Sequence, residues 1–321
     1  MSKLISAIGK PLGRVVFGKT KAFFRGIWKD FVKFIKTNPQ YLLCSLVYFV
    51  LASVFLGGVL TSFVVALLSY VISVFIAFTS IGEKLLRFFE HVRRIETKQE
   101  KEYLLPLFQE VYKQAKENNP ELGYIELCII DKKTVNACAL GKRTIAVTKG
   151  AIETFSPDEL KAIIAHEIAH ILYGDTMARL YMTVGNGIFT IFILASQLII
   201  FVADWVERNF SKTKMSFAGV IITIVKLVFM MTLLLVQFLM QFVVAISSRK
   251  SEFRADRYAY DLGYGEKLVE TLYLLEKMQL GDSTVIQKMT ASHPRITARI
   301  EKLELLLDEE ATMQSLPLPL N

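Results

Sequence analysis

The sequence predicts a mainly α membrane protein, with four transmembrane helices in two hairpins and an α+β soluble portion that carries a small sheet. Three observations predict it. Hydrophobic residues are 53% of the 321, with a mean hydropathy of +0.40, more apolar than a larger soluble core requires. Long, nearly uncharged runs occupy 41–81, 187–203 and 216–247. Between and after them, charge-dense helical patterns alternate with short β-rich runs. Length alone would allow about two domains.

Residues 1–40 form a basic amphipathic N-terminal segment. Residues 1–36 hold nine Lys/Arg and one acid, Asp30, within a chain of net charge +8. Phe17, Phe23, Phe24, Trp28, Phe31 and Phe34 interleave with Lys29, Lys33 and Lys36. The pattern predicts an interfacial helix on anionic lipid just before a span. No nucleic-acid partner is expected, because an apolar run follows at once. Nor is a cleaved signal peptide, because the basic region is too long and the apolar region too extended.

Residues 41–81 are expected to form the first transmembrane hairpin. As one helix, Tyr41 to Ile81 would run about 60 Å, about twice the hydrocarbon core. Two crossings with a turn near Gly57-Gly58 fit better. The preceding bases put the N-terminus in the cytoplasm. Two crossings return the chain there, where Lys84, Arg87, Arg93 and Arg94 follow.

Residues 83–183 are expected to form the first part of the soluble domain. Residues 83–120 have a helical pattern, with Leu104, Leu107, Phe108 and Val111 as its apolar stripe and Asn118-Asn119-Pro120 as its stop. Strands are expected at Tyr124–Ile130, Val135–Leu140 and Thr144–Val147, the last two joined by a Gly141-Lys142 turn. His91 has no partner at ligand spacing and is expected at the surface. Cys44, Cys128 and Cys138 are odd in number and show no CxxC spacing, so no disulfide framework is expected, as suits a reducing compartment.

The stretch from Asp158 to Asp175, DELKAIIAHEIAHILYGD, is the best-specified helix. Ser156 is its N-cap, Pro157 its first helical residue, and Glu159 completes a capping box. Ile163, Ile164, Ile168 and Ile171 supply apolar surface, and Gly174 supplies the stop. His166-Glu167-Ile168-Ala169-His170 lies inside it. Positions i and i+4 share a helix face, so both imidazoles can meet one Zn²⁺. Glu167, one residue round, is placed to take a proton from the activated water.

Residues 187–247 are expected to form the second hairpin. Its arms are Gly187–Ala203 and Ser216–Ser247, joined by a polar loop with Asp204, Glu207, Arg208, Lys212 and Lys214. The second arm exceeds one crossing and is expected to tilt or project, with Lys226 snorkelling to the interface.

Residues 248–321 form the second soluble part. A catalytic zinc site usually has three protein ligands and one open position. Glu252 and Asp256 are i and i+4, and two crossings bring them back to the side of His170. Glu252 could be the third ligand, with Asp256 accepting a hydrogen bond from a ligand imidazole. Alternatively, this is a solvated helix whose acids pair with Arg249, Lys250, Arg254 and Arg257. The unfilled third position favours the ligand reading.

With these elements in place, the chain resembles the HtpX-like membrane zinc metalloproteases, a branch of a superfamily that also holds the CAAX prenyl proteases. The resemblance rests on His166-Glu167-Ile168-Ala169-His170, Glu252-Phe253-Arg254-Ala255-Asp256, Val135-Asn136-Ala137-Cys138-Ala139, and Ser292-His293-Pro294 with Arg299-Ile300. It covers most of residues 40–305 and implies a zincin-type α+β cytoplasmic metalloprotease domain in a multi-pass protein of the cell (inner) membrane. By position it implies one zinc held by His166, His170 and Glu252, with Glu167 as catalytic base. It also implies that His293 and Arg299 steady the oxyanion or the substrate. Asn136, Ala137, Cys138 and Ala139 would be an edge strand that pairs with an extended substrate backbone. Arg295 and Cys138 depart from the family's usual residues.

The implied function is hydrolysis of membrane proteins or other polypeptides at the cytoplasmic surface, in quality control. Glu252 lies about five residues, or about 7.5 Å of helix, beyond the last apolar run, which keeps the site near that surface. Two alternatives remain: a zinc-stabilised membrane scaffold without turnover, which Glu167→Gln would leave intact, and a CAAX-type prenyl protein protease. Four spans look too few to enclose the chamber that the second needs.

Overall fold

The structure is a computed structural model that describes residues 60–210, 250–282 and 296–315, with scattered residues within 21–36, 46–50 and 224–235. The Gly57-Gly58 turn, Lys226 with most of the second arm of the later hairpin, and His293 lie outside the described residues. The chain divides into two compact units, Met1–Gly82 with Val184–Leu233, and Glu83–Thr183 with Leu234–Asn321.

In the first unit, α1 (Leu60–Ala77) packs on α7 (Asn186–Phe210). Their seam is aromatic. Tyr70 meets Phe189 edge-on at 5.1 Å, and Phe49 lies 6.4 Å from Phe189. The outer faces stay apolar, with Leu68, Ile72, Leu198 and Ile199 each more than half exposed. Helical residues within 21–36 lie beside α1, with Phe31 and Phe34 edge-on to Phe78 and Trp28 left exposed. Among the described residues, one helical run, Asp175–Ala195, is long and apolar enough to cross a membrane.

The second unit is helical around a four-stranded sheet. Helix α2 (Ser80–Phe89) leads in from the chain boundary at Gly82, and exposed His91 turns the chain with φ 56°. Then come β1 (Val92–Arg94) and α3 (Lys98–Asn118). The pattern over 83–120 predicts helix throughout; β1 interrupts it because Val92, Arg93 and Arg94 pair antiparallel with Ile130, Ile129 and Cys128. Strands β2 (Glu126–Ile130), β3 (Ala137–Leu140) and β4 (Thr144–Thr148) follow the expected segments. The order is β1-β2-β4-β3, with β2 parallel to β4 and β3 antiparallel to it, so β3 is an edge. Cys128 is fully buried and neither it nor Cys138 forms a disulfide.

Short α4 (Lys149–Thr154) leads into α5 (Pro157–Tyr173), the centre of the core. Both hydrogen bonds of the expected capping box form: Glu159 N–H donates to Ser156 Oγ and Ser156 N–H to Glu159 Oε2. Gly174 ends the helix at φ 80°, a left-handed conformation that suits glycine. Ile164 and Ile168 are fully buried, each worth about 1.5–3 kcal/mol in transfer terms. Helix α6 (Asp175–Leu180) and a π-helical turn (Tyr181–Gly185) continue toward α7. After the second excursion, α8 (250–259), a π-turn (Tyr260–Tyr264), α9 (Gly265–Asp282) and α10 (Ile296–Ser315) complete the unit. Helix α5 packs on β3, α3 and α9, and Ala255 and Ala259 of α8 join the same buried cluster.

Candidate metal centre

Helix α5 presents His166 and His170 from consecutive turns, with Nε2 atoms 3.1 Å apart. Glu252, on α8, reaches them with Oε2 3.4 Å from His166 Nε2 and Oε1 3.5 Å from His170 Nε2. The three residues are the grouping of possible metal ligands among those described. Ligand atoms at the corners of a tetrahedron with bonds of about 2.0–2.1 Å stand about 3.3–3.4 Å apart. The observed spacings bracket that value, so the donor set fits zinc.

Each imidazole is braced through its other nitrogen. His166 Nδ1 lies 2.9 Å from Asp256 Oδ1, and His170 Nδ1 lies 3.1 Å from Asp175 Oδ2. Carboxylates only accept, so each Nδ1 carries the hydrogen and each Nε2 lone pair faces the metal position. Asp256 stands in the role expected of it, and Asp175 takes the same role at His170 without having been expected there. Its signal was present: an acid directly after the glycine stop, on the turn that follows His170.

Arg299, on the first turn of α10, forks onto Asp256. Its Nη2 donates to Oδ1 at 2.6 Å and its Nε to Oδ2 at 2.8 Å. Its Nη1 lies 3.2 Å from Glu252 Oε2. At 6% exposure the guanidinium is surrounded by the acids that hold the ligands. Its hydrogen bonds go to the acids of the ligand scaffold.

The local field favours a cation. Burial opposes charging His166, yet hydrogen bonds to Asp256 and Glu252 outweigh it and raise the imidazole pKa to about 10. Burial also opposes ionising Asp256, but Arg299 and His166 hold its carboxyl below the usual range.

Glu167 is buried against the edge strand, and its Oε2 accepts a 2.7 Å hydrogen bond from Ala139 N–H. Thr148 N–H donates to Asn136 O, which fixes the phase of the β3–β4 ladder. Alternation then turns the backbone groups of Cys138 toward β4 and those of Ala137 and Ala139 toward the open edge. Glu167 and this strand were each expected at the site; their direct contact was not. The nitrogen of Asn136 is tied inward, donating to Thr148 Oγ1 at 3.0 Å.

The profile described as peptidase family M48 matches residues 98–306, which contain the three ligands, both braces, Arg299 and the edge strand. A protein named protease HtpX from Psychrobacter is 30% identical over 62% of this chain and 69% of its own. One of the same name from Pseudomonas syringae is 29% identical over 63% and 70%. A solved structure titled Ste24p from S. mikatae aligns with TM-score 0.47 at 19% identity, over 94% of this chain and 74% of its own, a likeness too distant to carry an argument.

Proposed function

We propose, because this chain belongs to peptidase family M48, that it is a zinc-dependent endopeptidase of the cell membrane that cuts membrane proteins at the cytoplasmic surface. Its relatives named protease HtpX support the metalloprotease reading. The observation that carries the proposal is the meeting of His166, His170 and Glu252 beside Glu167.

When bound, zinc supplies a Lewis acid for the scissile carbonyl and lowers the pKa of water to about 7. Glu167 accepts the proton of the attacking water and delivers it to the leaving amine. The Ala139 N–H holds that carboxylate by one oxygen and leaves the other to work. Asn136 to Ala139 pair with an extended substrate, using the outward N–H and C=O of Ala137 and the C=O of Ala139, which lays the peptide alongside Glu167. Backbone pairing gives affinity with little side-chain selectivity, which suits damaged or misassembled substrates. Asp256 and Arg299 hold the ligand imidazole and carboxylate in place. His293 remains a candidate for steadying the oxyanion, on resemblance.

The membrane reading draws on the apolar outer faces of α1 and α7 and on the run Asp175–Ala195. Four crossings, 41–81 and 187–247 as the two hairpins, place 83–183 and 248–321 on one side of the bilayer. The basic segment 1–40 lies on anionic lipid. To test the proposal, the full chain in detergent is offered membrane-protein and soluble substrates. Zinc-dependent cleavage that favours membrane proteins is expected. A strong preference for free soluble proteins would overturn the surface-site reading.

A further inference from the structure

We propose that Asp175, braced by Arg254, is the positioning residue for the ligand His170. The proposal rests on the zinc reading above and extends it to an arm of the site that the motifs do not name.

The two imidazoles are held unequally. His166 is 5% exposed and is backed by Asp256, which Arg299 grips with two hydrogen bonds. His170 lies in a more open position, and its Nδ1 meets Asp175 Oδ2 at 3.1 Å. Asp175 Oδ1 accepts in turn from Arg254 Nη2. The Arg254 guanidinium lies over the Tyr173 ring, 4.5 Å from its centroid, and Tyr173 packs edge-on against Tyr258. Asn119 at the end of α3 donates to the Tyr258 hydroxyl at 3.1 Å. An aromatic wall therefore fixes the arginine, the arginine fixes the carboxylate, and the carboxylate fixes the ring.

Arg254 lies between Glu252 and Asp256 on α8. One helix thus supplies a ligand, the brace of one imidazole, and the support for the brace of the other. Asp175 stands at the first position of α6, directly beyond the left-handed Gly174, so its placement depends on that turn. Two of the chain's three passages between the units fall between Asp175 and Arg254 in sequence. The ion pair therefore joins the strand of chain that leaves toward residues 184–233 to the one that returns.

Removing a brace of this type typically costs 10–100-fold in metal affinity. The test uses the full chain in detergent, stripped of metal and titrated with Zn²⁺ against a chromophoric chelator. Asp175→Ala is expected to weaken zinc binding about 10–100-fold. Asp175→Asn, which keeps an acceptor but not the charge, should recover part of the loss. Arg254→Gln should weaken binding a few-fold, whereas Arg257→Gln, which removes an exposed pair with Asp261 and a contact over the Tyr260 ring, should not.

Melting of the metal-free proteins separates positioning from folding. Asp175→Ala and the parent should melt alike without metal and diverge when zinc is added. Wild-type zinc affinity in Asp175→Ala overturns the proposal. If that variant does not fold, wild-type affinity in Arg254→Gln overturns it instead. Failure of the parent chain itself to bind zinc would strike the metalloprotease reading beneath it.

Discussion

Glu167 lies between a ligand in sequence and an edge strand in space, and substitution there separates chemistry from metal binding. Glu167→Gln keeps the size and can still meet the Ala139 N–H, but it cannot take a proton. Peptide hydrolysis should fall about 10²–10⁴-fold, while zinc content stays at the parent level, as read by a peptide assay beside metal analysis. Arg299→Met should act differently. It leaves the buried Asp256 and Glu252 carboxylates without their cation, a loss of about 3–5 kcal/mol when one partner of a buried pair is removed. A large fall in melting temperature should accompany weaker zinc binding.

At this scale much of the site was legible. Spacing on one helix identifies His166, Glu167 and His170, and the i, i+4 pair Glu252 and Asp256 is the acid pair that an unfilled third ligand position singles out. Asp175 and the contact between Glu167 and Ala139 were not legible. The first needs the path of the chain beyond Gly174, and the second needs a strand register. Arg299 was legible as a site residue but its grip on Asp256 was not, because a guanidinium's partners depend on which acids folding buries beside it.

Among elements, α5 is the most self-specified and should respond to its caps. Ser156→Ala removes one acceptor of the capping box and should cost about 1 kcal/mol. Ile168→Ala, at a fully buried position, should cost about 2–5 kcal/mol. Both can be read from thermal or denaturant melts of the metal-free protein.

Strand β1 offers a test in pH. Hydrogen bonds from Arg93 hold the carboxyls of Glu100 and Asp131 at about 2, below their ordinary values. Depressed carboxyl pKa values contribute stability above the unfolded-state pKa, and that stability is lost as pH falls toward 2. Arg93→Gln should therefore lower the melting temperature near pH 7, and the gap to the parent should narrow as pH drops from about 5 to 2. An equal gap across that window would show that the network contributes nothing through charge.

The capping box, the αL glycine and the β-rich runs made α5 and three of four strands legible. Strand β1 was not. Three residues with two arginines carry no alternation, and only pairing with β2 makes them a strand. The parallel pairing of β2 with β4, which leaves β3 at the edge, was likewise invisible to local pattern.

The whole chain makes two excursions from its peptidase unit, and their apolar composition predicts behaviour. The protein should stay with the membrane fraction through an alkaline carbonate wash and leave it only in detergent. Tags in the 204–214 loop and after 315 should label from opposite sides of the membrane if residues 216–247 cross once. Labelling from one side would require a different course for the second hairpin. Hydropathy made the excursions legible as apolar runs. The count of crossings rests on their length against the bilayer, and one run among the described residues meets the length and composition of a span.

Convergence of two imidazoles from one helix with a carboxylate from another, far along the chain, underlies every functional statement. The most direct measurement is zinc per chain, by metal analysis of the full protein purified in detergent, for the parent and for His166→Ala, His170→Ala and Glu252→Ala. One zinc per parent chain, and loss of it in all three variants, is the predicted result. A Glu252→Ala protein that is folded and keeps its zinc as tightly as the parent would contradict the account.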